Sequence, residues 1–297
     1  MDKIIKVNID STLDNKEVKY ILKNLIGLSD GIISSLKKSD KGIMIDGTRV
    51  FVNEKVKEGQ QLVVFVPDTR SDIPASDIHL EILYEDEDII AINKPRKMPT
   101  HPSLNHYEDT LANGLMHYYS KMNFTFRAIT RLDKDTSGVV LVAKNPLSAM
   151  ILSRSMKNAE ILKEYIAVVN GVMDKPSGKI SAPIKRQQKS IILRCVAPDG
   201  EEAITEYETI MSNEGLSFVR LFPKTGRTHQ IRVHMSHIGT PIYGDELYGA
   251  KQSGEATRLH CRKICFRHPM SGELLEIEAP IPDDIVNLVK YSDNSKF

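Results

Sequence analysis

The sequence predicts an α+β fold, with a largely antiparallel central sheet flanked by helices and a small N-terminal α/β domain. Short apolar runs of strand length recur along the chain, and several are joined by Gly, Pro or Asn turns that suit antiparallel pairing. A few stretches between them carry apolar residues at helical spacing. The 297 residues, 41% of them hydrophobic, suffice for one large domain plus a small one.

The small domain is predicted over residues 1–68. Apolar residues recur at helical spacing over 18–25 and again around 32–36. Short strands should follow, and Asp46-Gly47 between apolar runs is a hairpin signal. Residues 69–77 are rich in Pro, Ser and Asp, which predicts a linker.

The large domain is predicted over residues 78–285, followed by a C-terminal tail, 286–297. Its helices are expected around 110–120, 147–157 and 227–238. Its strands are expected near 88–93, 138–143, 164–169, 203–208 and 217–222.

Charge and cysteine content narrow the class of protein. The net charge is only +1, so a nucleic-acid partner would have to be held by local patches. The basic residues that cluster are Lys185-Arg186, Lys189, Arg194 and those from Arg220 to Arg232. Three cysteines make no disulfide framework, and no run is long enough to span a bilayer. We expect a monomeric, cytoplasmic protein that does not bind a membrane.

Residues 129–138, Ile-Thr-Arg-Leu-Asp-Lys-Asp-Thr-Ser-Gly, form the first candidate site. Composition alone favours a capped turn, because Asp, Thr, Ser and Gly are turn residues. Asp133 differs from its neighbours, since Leu132 and the cation Arg131 precede it. A carboxylate held near cations stays ionised, as a nucleophile must.

A basic segment over residues 223–237 is the second candidate. It carries Arg227, Arg232 and three histidines, and no acidic residue follows until Asp245. Composition alone favours a solvated basic helix, but the segment could also contact phosphates, and Arg232 could turn inward toward a carboxylate. The histidines are spread around the predicted helix, so no metal site is predicted there.

Residues 260–268, with two cysteines and two histidines, have a superficial likeness to a zinc site. On a strand, Cys261 and Cys265 would share a face but lie about 13 Å apart, given ~3.3 Å of rise per residue. Two thiolates on one zinc lie much closer. We therefore predict no metal here either.

Three segments in order resemble the pseudouridine synthases of the large-subunit ribosomal and transfer RNA type. They are Arg131–Gly138, Lys163-Glu-Tyr-Ile-Ala-Val168 and Gly226-Arg-Thr-His-Gln-Ile-Arg-Val-His234. Supporting matches are Asn93-Lys-Pro95, His101-Pro102 and Tyr243-Gly-Asp-Glu-Leu-Tyr-Gly249. The resemblance runs from about residue 80 to 280.

The resemblance implies a role for each matching residue. Asp133 resembles the catalytic aspartate, and Arg232 the arginine that pairs with it. Tyr165 resembles the tyrosine stacked against the target uracil, which suits a chain without Trp. Arg131 resembles the residue that fills the gap left by the extruded base, and Lys163 the lysine that accompanies the tyrosine.

Further expectations concern RNA contacts and departures from the family pattern. Arg227 and His229 in the basic segment are expected to contact RNA. The family usually has His where Thr130 stands, and often Gly where Lys97 stands. Residues 1–68 are similar to the small RNA-binding domain named after ribosomal small-subunit protein four, notably over Ile45–Asn53.

The implied activity is conversion of specific uridines to pseudouridine in structured RNA, without metal or cofactor. Large-subunit ribosomal RNA is the expected substrate, and transfer RNA is the alternative. Two other functions are weighed: a non-catalytic RNA-binding protein, and a glycosidase-like hydrolase using Asp133 and Asp135. A glycosidase pair needs carboxyls ~5–10 Å apart, which neighbours at i and i+2 usually reach only on an extended segment.

Overall fold

A computed structural model describes residues 1–68, 71–188, 190, 192–213, 215–250 and 254–293. These residues form a four-stranded sheet, a nine-stranded sheet and a two-stranded ribbon, with helices packed around them. This mixed, largely antiparallel architecture confirms the predicted fold class. Within the described ranges, no helix has the length and apolar character that crossing a membrane requires.

The four-stranded sheet belongs to the N-terminal region. Its elements are β1 (Lys3–Asn8), α1 (Val18–Tyr20), a π-helical turn (Ile21–Leu25), α2 (Asp30–Lys38), β2 (Ile43–Ile45), β3 (Thr48–Arg49) and β4 (Gln61–Val66). The strand order is β1-β4-β2-β3. Asp46 and Gly47 join β2 to β3 with φ of 48° and 81°. Two positive φ values are typical of a tight hairpin turn, so this predicted hairpin is confirmed.

The nine-stranded sheet dominates the rest of the chain. Its strand order is β5-β6-β7-β14-β8-β13-β12-β9, with β15 paired to β14, and β10 and β11 form the ribbon. The strands are β5 (Ile82–Glu85), β6 (Ile89–Lys94), β7 (Ser137–Ala143), β8 (Leu162–Asn170), β9 (Ser177–Ser181), β10 (Ile184–Arg186), β11 (Arg194–Val196), β12 (Ile204–Asn213), β13 (Leu216–Pro223), β14 (Leu259–Arg267) and β15 (Leu274–Glu278). β7 and β14 run parallel, and the other described pairs of this sheet are antiparallel.

Four helices accompany the large sheet. They are α3 (Leu111–Tyr118), α4 (Pro146–Lys157), α5 (Gln230–His237) and α6 (Asp283–Asp293). α5 begins three residues later than predicted, because His229 has a left-handed φ of 57° that an α-helix does not accommodate. α6 covers residues 286–293, which were predicted as a tail, and Ile285 is buried beside Ile166. Residues 294–297 lie outside the described residues.

The N-terminal sheet packs against helix α4, which in turn packs on β7 of the large sheet. Leu147 belongs to the same buried apolar cluster as Val18 and Leu62, and Met150 and Ile151 pack on it. The segment predicted as a linker also lies against protein, since Ser76 N–H donates to Asn113 O at 3.2 Å. The proposed boundary at residue 68 therefore separates two sheets that share a packed interface.

This packing generates a prediction about Leu147. Leu147→Ala should lower the free energy of unfolding by about 2–5 kcal/mol, because it opens a cavity between α4 and the N-terminal core. Urea denaturation measures this loss. Leu274→Ala is the matched control, since Leu274 is 60% exposed. Equal stability of the two variants would show that the N-terminal region does not pack on α4.

Candidate active site

Asp133 lies in the loop that leads into β7. Leu132 is buried, its carbonyl accepts from Thr100 Oγ1 at 2.9 Å, and Thr136 N–H donates to Asp133 O at 3.1 Å. Gly138 ends the motif at φ 111°, where a Cβ would lie 2.1 Å from the Cys261 carbonyl oxygen. Glycine at position 138 therefore allows β7 and β14 to approach each other. The hydrogen bonds of the loop leave the Asp133 side chain 27% exposed.

Lys94 anchors the same loop from beneath. Its side chain is fully buried, and Nζ donates to the carbonyls of Pro95 and Met98 at 2.8 Å and of Lys134 at 3.3 Å. Burial lowers the pKa of Lys94 to about 7, although the negative charge of Asp133 raises it. From the sequence, Lys94 is recognisable only as part of the Asn93-Lys-Pro95 motif, because a lysine in sequence gives no sign that it is buried.

Arg232 is buried at the start of α5, and its two parallel hydrogen bonds go to Asp245. Nε donates to Asp245 Oδ2 and Nη2 to Oδ1, both at 2.7 Å. Nη1 lies 3.7 Å from Asp133 Oδ2. The expected pairing of Arg232 with Asp133 is thus a single long contact. One edge of the planar guanidinium is used by Asp245, which leaves the remaining nitrogen to face Asp133.

His229 lies in this site as well. Its Nε2 is 3.9 Å from Asp133 Oδ2, and its Nδ1 is 2.7 Å from the Tyr248 hydroxyl. The guanidinium of Arg232 lies 5.1 Å from the centre of the Tyr248 ring. Asp245 and Tyr248 belong to the motif Tyr243–Gly249, whose sequence alone indicates no role for either residue. Asp245 and Tyr248 reach the site because the chain turns back after α5 and brings residues 245–248 against His229 and Arg232.

Tyr165 lies on β8, opposite Cys261 of β14, and is 8% exposed. Burial raises the pKa of its phenol well above the usual value, and Cys261 and Asp133 raise it further. The hydroxyl therefore stays protonated, which suits orienting a base better than removing a proton. Lys163 is two residues away on the same strand, and burial lowers the pKa of its ammonium.

The structure does not bring Arg131 and Arg227 into this cluster. Arg131 is exposed at the surface edge of the loop, and its charge acts on His101. Arg227 Nη1 pairs with Glu201 at 2.6 Å, and its Nε donates to Glu202 O. Other basic residues of the predicted patch are paired in the same way: Lys185 with Asp199, Arg220 with Glu208 and Lys224 with Glu206. Lys189 lies outside the described residues.

Both departures from the family pattern have a structural setting. Thr130 is buried, and its Oγ1 accepts the N–H of Leu141 in β7 at 2.9 Å, which ties the segment before Asp133 to that strand. Lys97 has φ 64°, a left-handed conformation that glycine adopts without strain.

The cysteine prediction needs a correction. A β-bulge between Cys261 and Lys263 inserts one extra residue opposite β8, so Cys261 and Cys265 point to opposite faces. Of the described residues, one group has metal-ligand spacing: Asp86, Asp88 and His268, with ligand atoms within 4.8 Å. Lys3 Nζ lies 2.7 Å from Asp88 Oδ1 and supplies positive charge there, so we interpret the group as an ion-pair cluster.

The anchoring of the loop generates a prediction about Lys94. Lys94→Met should lower both stability and turnover, because it leaves three carbonyls without their donor and frees the backbone beside Asp133. The expected loss is about 1–3 kcal/mol for each carbonyl left unsatisfied and buried. Thermal unfolding and steady-state kinetics measure the two effects. Lys121→Met, at an exposed lysine, is the control; a Lys94→Met variant as stable and active as that control would contradict the anchoring role.

Comparisons with known proteins identify the family of this chain. Residues 88–237 match the family model described as RNA pseudouridylate synthase. An RNA pseudouridine synthase of Bacillus subtilis is 39% identical over 270 residues, covering 89% of this chain and 95% of the relative. Ribosomal large subunit pseudouridine synthase D of Vibrio parahaemolyticus is 40% identical over 233 residues, covering 73% and 71%.

A solved structure supports the same assignment. Human RNA pseudouridylate synthase domain containing 1 superposes with a TM-score of 0.59 at 25% identity, covering 74% of this chain and 97% of that one. The chain therefore belongs to the RNA pseudouridylate synthase family and is an isomerase that acts on RNA.

Proposed function

We propose that this enzyme converts specific uridines of large-subunit ribosomal RNA to pseudouridine, with Asp133 as its nucleophile. The single observation that carries the role of Asp133 is its position, partly exposed and flanked by Arg232 at 3.7 Å and His229 at 3.9 Å. The RNA class is supported by relatives named as large-subunit ribosomal synthases, at 36–40% identity. Transfer RNA is the alternative substrate.

The reaction begins with removal of the target base from its stack. Flipping a nucleotide costs a few kcal/mol. Arg131, exposed at the edge of the loop, offsets this cost by filling the gap that the flipped base leaves in the RNA stack. Tyr165 then stacks on the uracil, and its protonated hydroxyl orients the base. Lys163, on the same face of β8, is placed to contact the same nucleotide. This sequence of contacts delivers the base to the Asp133 carboxylate.

The chemical step breaks the C1′–N1 bond and forms a C1′–C5 bond. The Asp133 carboxylate attacks either C1′ of the ribose or C6 of the uracil, and in both routes negative charge develops on the uracil carbonyl oxygens. The base rotates and rejoins through C5: in the first route C5 displaces the Asp133 carboxylate from C1′, and in the second the Asp133–C6 bond breaks after the C1′–C5 bond has formed. The C5 proton leaves, N1 gains a proton, and the Asp133 carboxylate is regenerated. Atoms balance without an oxidant, reductant or energy source, so the chain needs no cofactor.

RNA docking extends beyond the site. Residues 1–68 add affinity as an RNA-binding domain resembling that of ribosomal protein S4, and Arg227 binds phosphate after exchanging its present partner Glu201. The packing of the sheet of residues 1–68 on α4 supports joint docking of the RNA by the two regions. The three cysteines are free, which fits the cytoplasm, where monomeric enzyme and RNA would meet.

A tritium-release assay tests the proposal. Wild-type enzyme acts on an unmodified transcript of bacterial large-subunit ribosomal RNA that carries tritium at uridine C5, and each isomerisation releases tritium to water. Asp133→Ala should reduce this release below detection while leaving the fold and RNA affinity intact, because only the nucleophile is lost. Asp174→Ala, at an exposed carboxylate, is the control and should retain full activity.

Three outcomes would contradict the proposal. Turnover by folded Asp133→Ala enzyme would exclude the nucleophile. Release of free uracil would indicate the glycosidase-like hydrolase that uses Asp133 and Asp135. Tritium release from transfer RNA transcripts alone would exclude the ribosomal substrate.

A further inference from the structure

His229 is held between two side chains at fixed distances. Its Nδ1 lies 2.7 Å from the Tyr248 hydroxyl, and its Nε2 faces Asp133 Oδ2 at 3.9 Å. The side chain is 13% exposed, and the left-handed backbone at His229 turns it into the site, ahead of α5. Its ring meets the Tyr248 ring edge-on, with centroids 5.5 Å apart. The imidazole thus has one defined partner and one open nitrogen.

The partners of the Tyr248 hydroxyl determine which nitrogen of His229 carries the proton. The hydroxyl oxygen accepts the backbone N–H of Arg194 at 3.0 Å. In the described part of the chain, the other hydrogen-bond partner of this hydroxyl is His229 Nδ1. A backbone N–H can only donate, so among the described residues the proton of the buried Tyr248 hydroxyl finds an acceptor only at His229 Nδ1. This pairing makes Nδ1 the acceptor, because the alternative leaves the phenol proton without a partner among those residues. A neutral imidazole with an acceptor at Nδ1 carries its proton at Nε2.

The surroundings also favour the neutral form. Burial lowers the pKa of His229, Asp133 raises it, and the cations Arg232 and Arg194 lower it again, with a net lowering. Two hydrogen bonds to Asp245 fix the Arg232 guanidinium in position, so His229 has a positive charge beside it. At neutral pH, the site therefore holds a neutral imidazole whose Nε2–H points toward the Asp133 carboxylate.

We infer that His229 is a catalytic residue whose Nε2–H donates a hydrogen bond to the negative charge that develops on the uracil oxygens. Tyr248 is its positioning residue, because the hydroxyl selects the Nε2–H tautomer. This inference rests on the proposed function. When the C1′–N1 electrons pass to the base, or the C5–C6 electrons shift after attack at C6, the charge reaches a ring carbonyl oxygen. No proton is transferred in this contact.

The 3.9 Å gap supports this role over a simple bond to Asp133. It exceeds the range of an N–H···O hydrogen bond, so in the RNA-free enzyme the Nε2–H has no close contact with Asp133. A donor already aimed beside the nucleophile needs no reorientation when charge appears, which is what makes such donors effective. The Arg194 N–H further ties Tyr248, and through it His229, to β11.

A nitrogen NMR measurement on the free enzyme tests the tautomer directly. The chain has nine histidines, and His229→Gln identifies the signals of His229 by their disappearance. At neutral pH, His229 should be protonated at Nε2 and unprotonated at Nδ1. In Tyr248→Phe, which keeps the ring under Arg232, the Nδ1–H tautomer should become populated. An Nδ1–H or doubly protonated His229 in the wild-type enzyme would overturn the inference.

Kinetics on the C5-tritiated ribosomal transcript test the chemical role. His229→Leu should lower kcat about 10²–10³-fold with little change in KM, as expected for loss of a donor used in the transition state. His229→Gln should recover most of the rate, since its amide N–H can replace Nε2–H. Tyr248→Phe should lower kcat in the wild-type background but not in the His229→Gln background, where no tautomer has to be selected.

The possible outcomes distinguish failure of the proposed function from failure of the role inferred for His229. Tritium release by wild-type enzyme together with unimpaired kcat in folded His229→Leu would overturn the inference alone. Absence of release by the wild-type enzyme would overturn the proposed function and the inference with it. A purely structural role for His229 would lower stability equally in His229→Leu and His229→Gln, without the selective rescue of kcat.

Discussion

The buried pair between Arg232 and Asp245 is the interaction on which the rest of the site depends. Two hydrogen bonds of 2.7 Å fix the guanidinium, and breaking such a pair by removing one partner costs about 3–5 kcal/mol. Because Asp245 takes up one edge of the arginine, Asp133 receives only one long contact from Nη1. The guanidinium is therefore fixed in place beside Asp133, while its two short hydrogen bonds go to Asp245.

Two halves of the large sheet supply the site. β6 and β7 position the Asp133 loop, through Lys94 at the end of β6 and Gly138 at the start of β7. The other half supplies Tyr165 from β8, with His229 and Arg232 from the start of α5. The parallel contact between β7 and β14 joins these halves, and it requires a residue without a side chain at position 138. The close approach of β7 and β14 at Gly138 therefore joins the sheet and also brings the two parts of the site together.

Much of this arrangement was predictable from sequence. Apolar runs and turn signals predicted five of the eleven strands from β5 to β15, namely β6, β7, β8, β12 and β13. Three short motifs in order indicated the family. Pairwise geometry was not predictable, because it depends on turns between elements. The partner of Arg232 lies 13 residues downstream, and one left-handed residue, His229, moves both the helix start and its own side chain. The bulge that separates Cys261 from Cys265 likewise leaves no local signal.

A double-mutant cycle on kcat tests whether Asp245 and Arg232 act as one unit beside Asp133. Asp245→Asn, Arg232→Lys and the double variant are compared with wild type by tritium release, with folding checked by thermal unfolding. We expect each single change to lower kcat and the double variant to be little worse than the poorer single one, with a coupling energy of about 0.5–3 kcal/mol. Losses that multiply independently would contradict it.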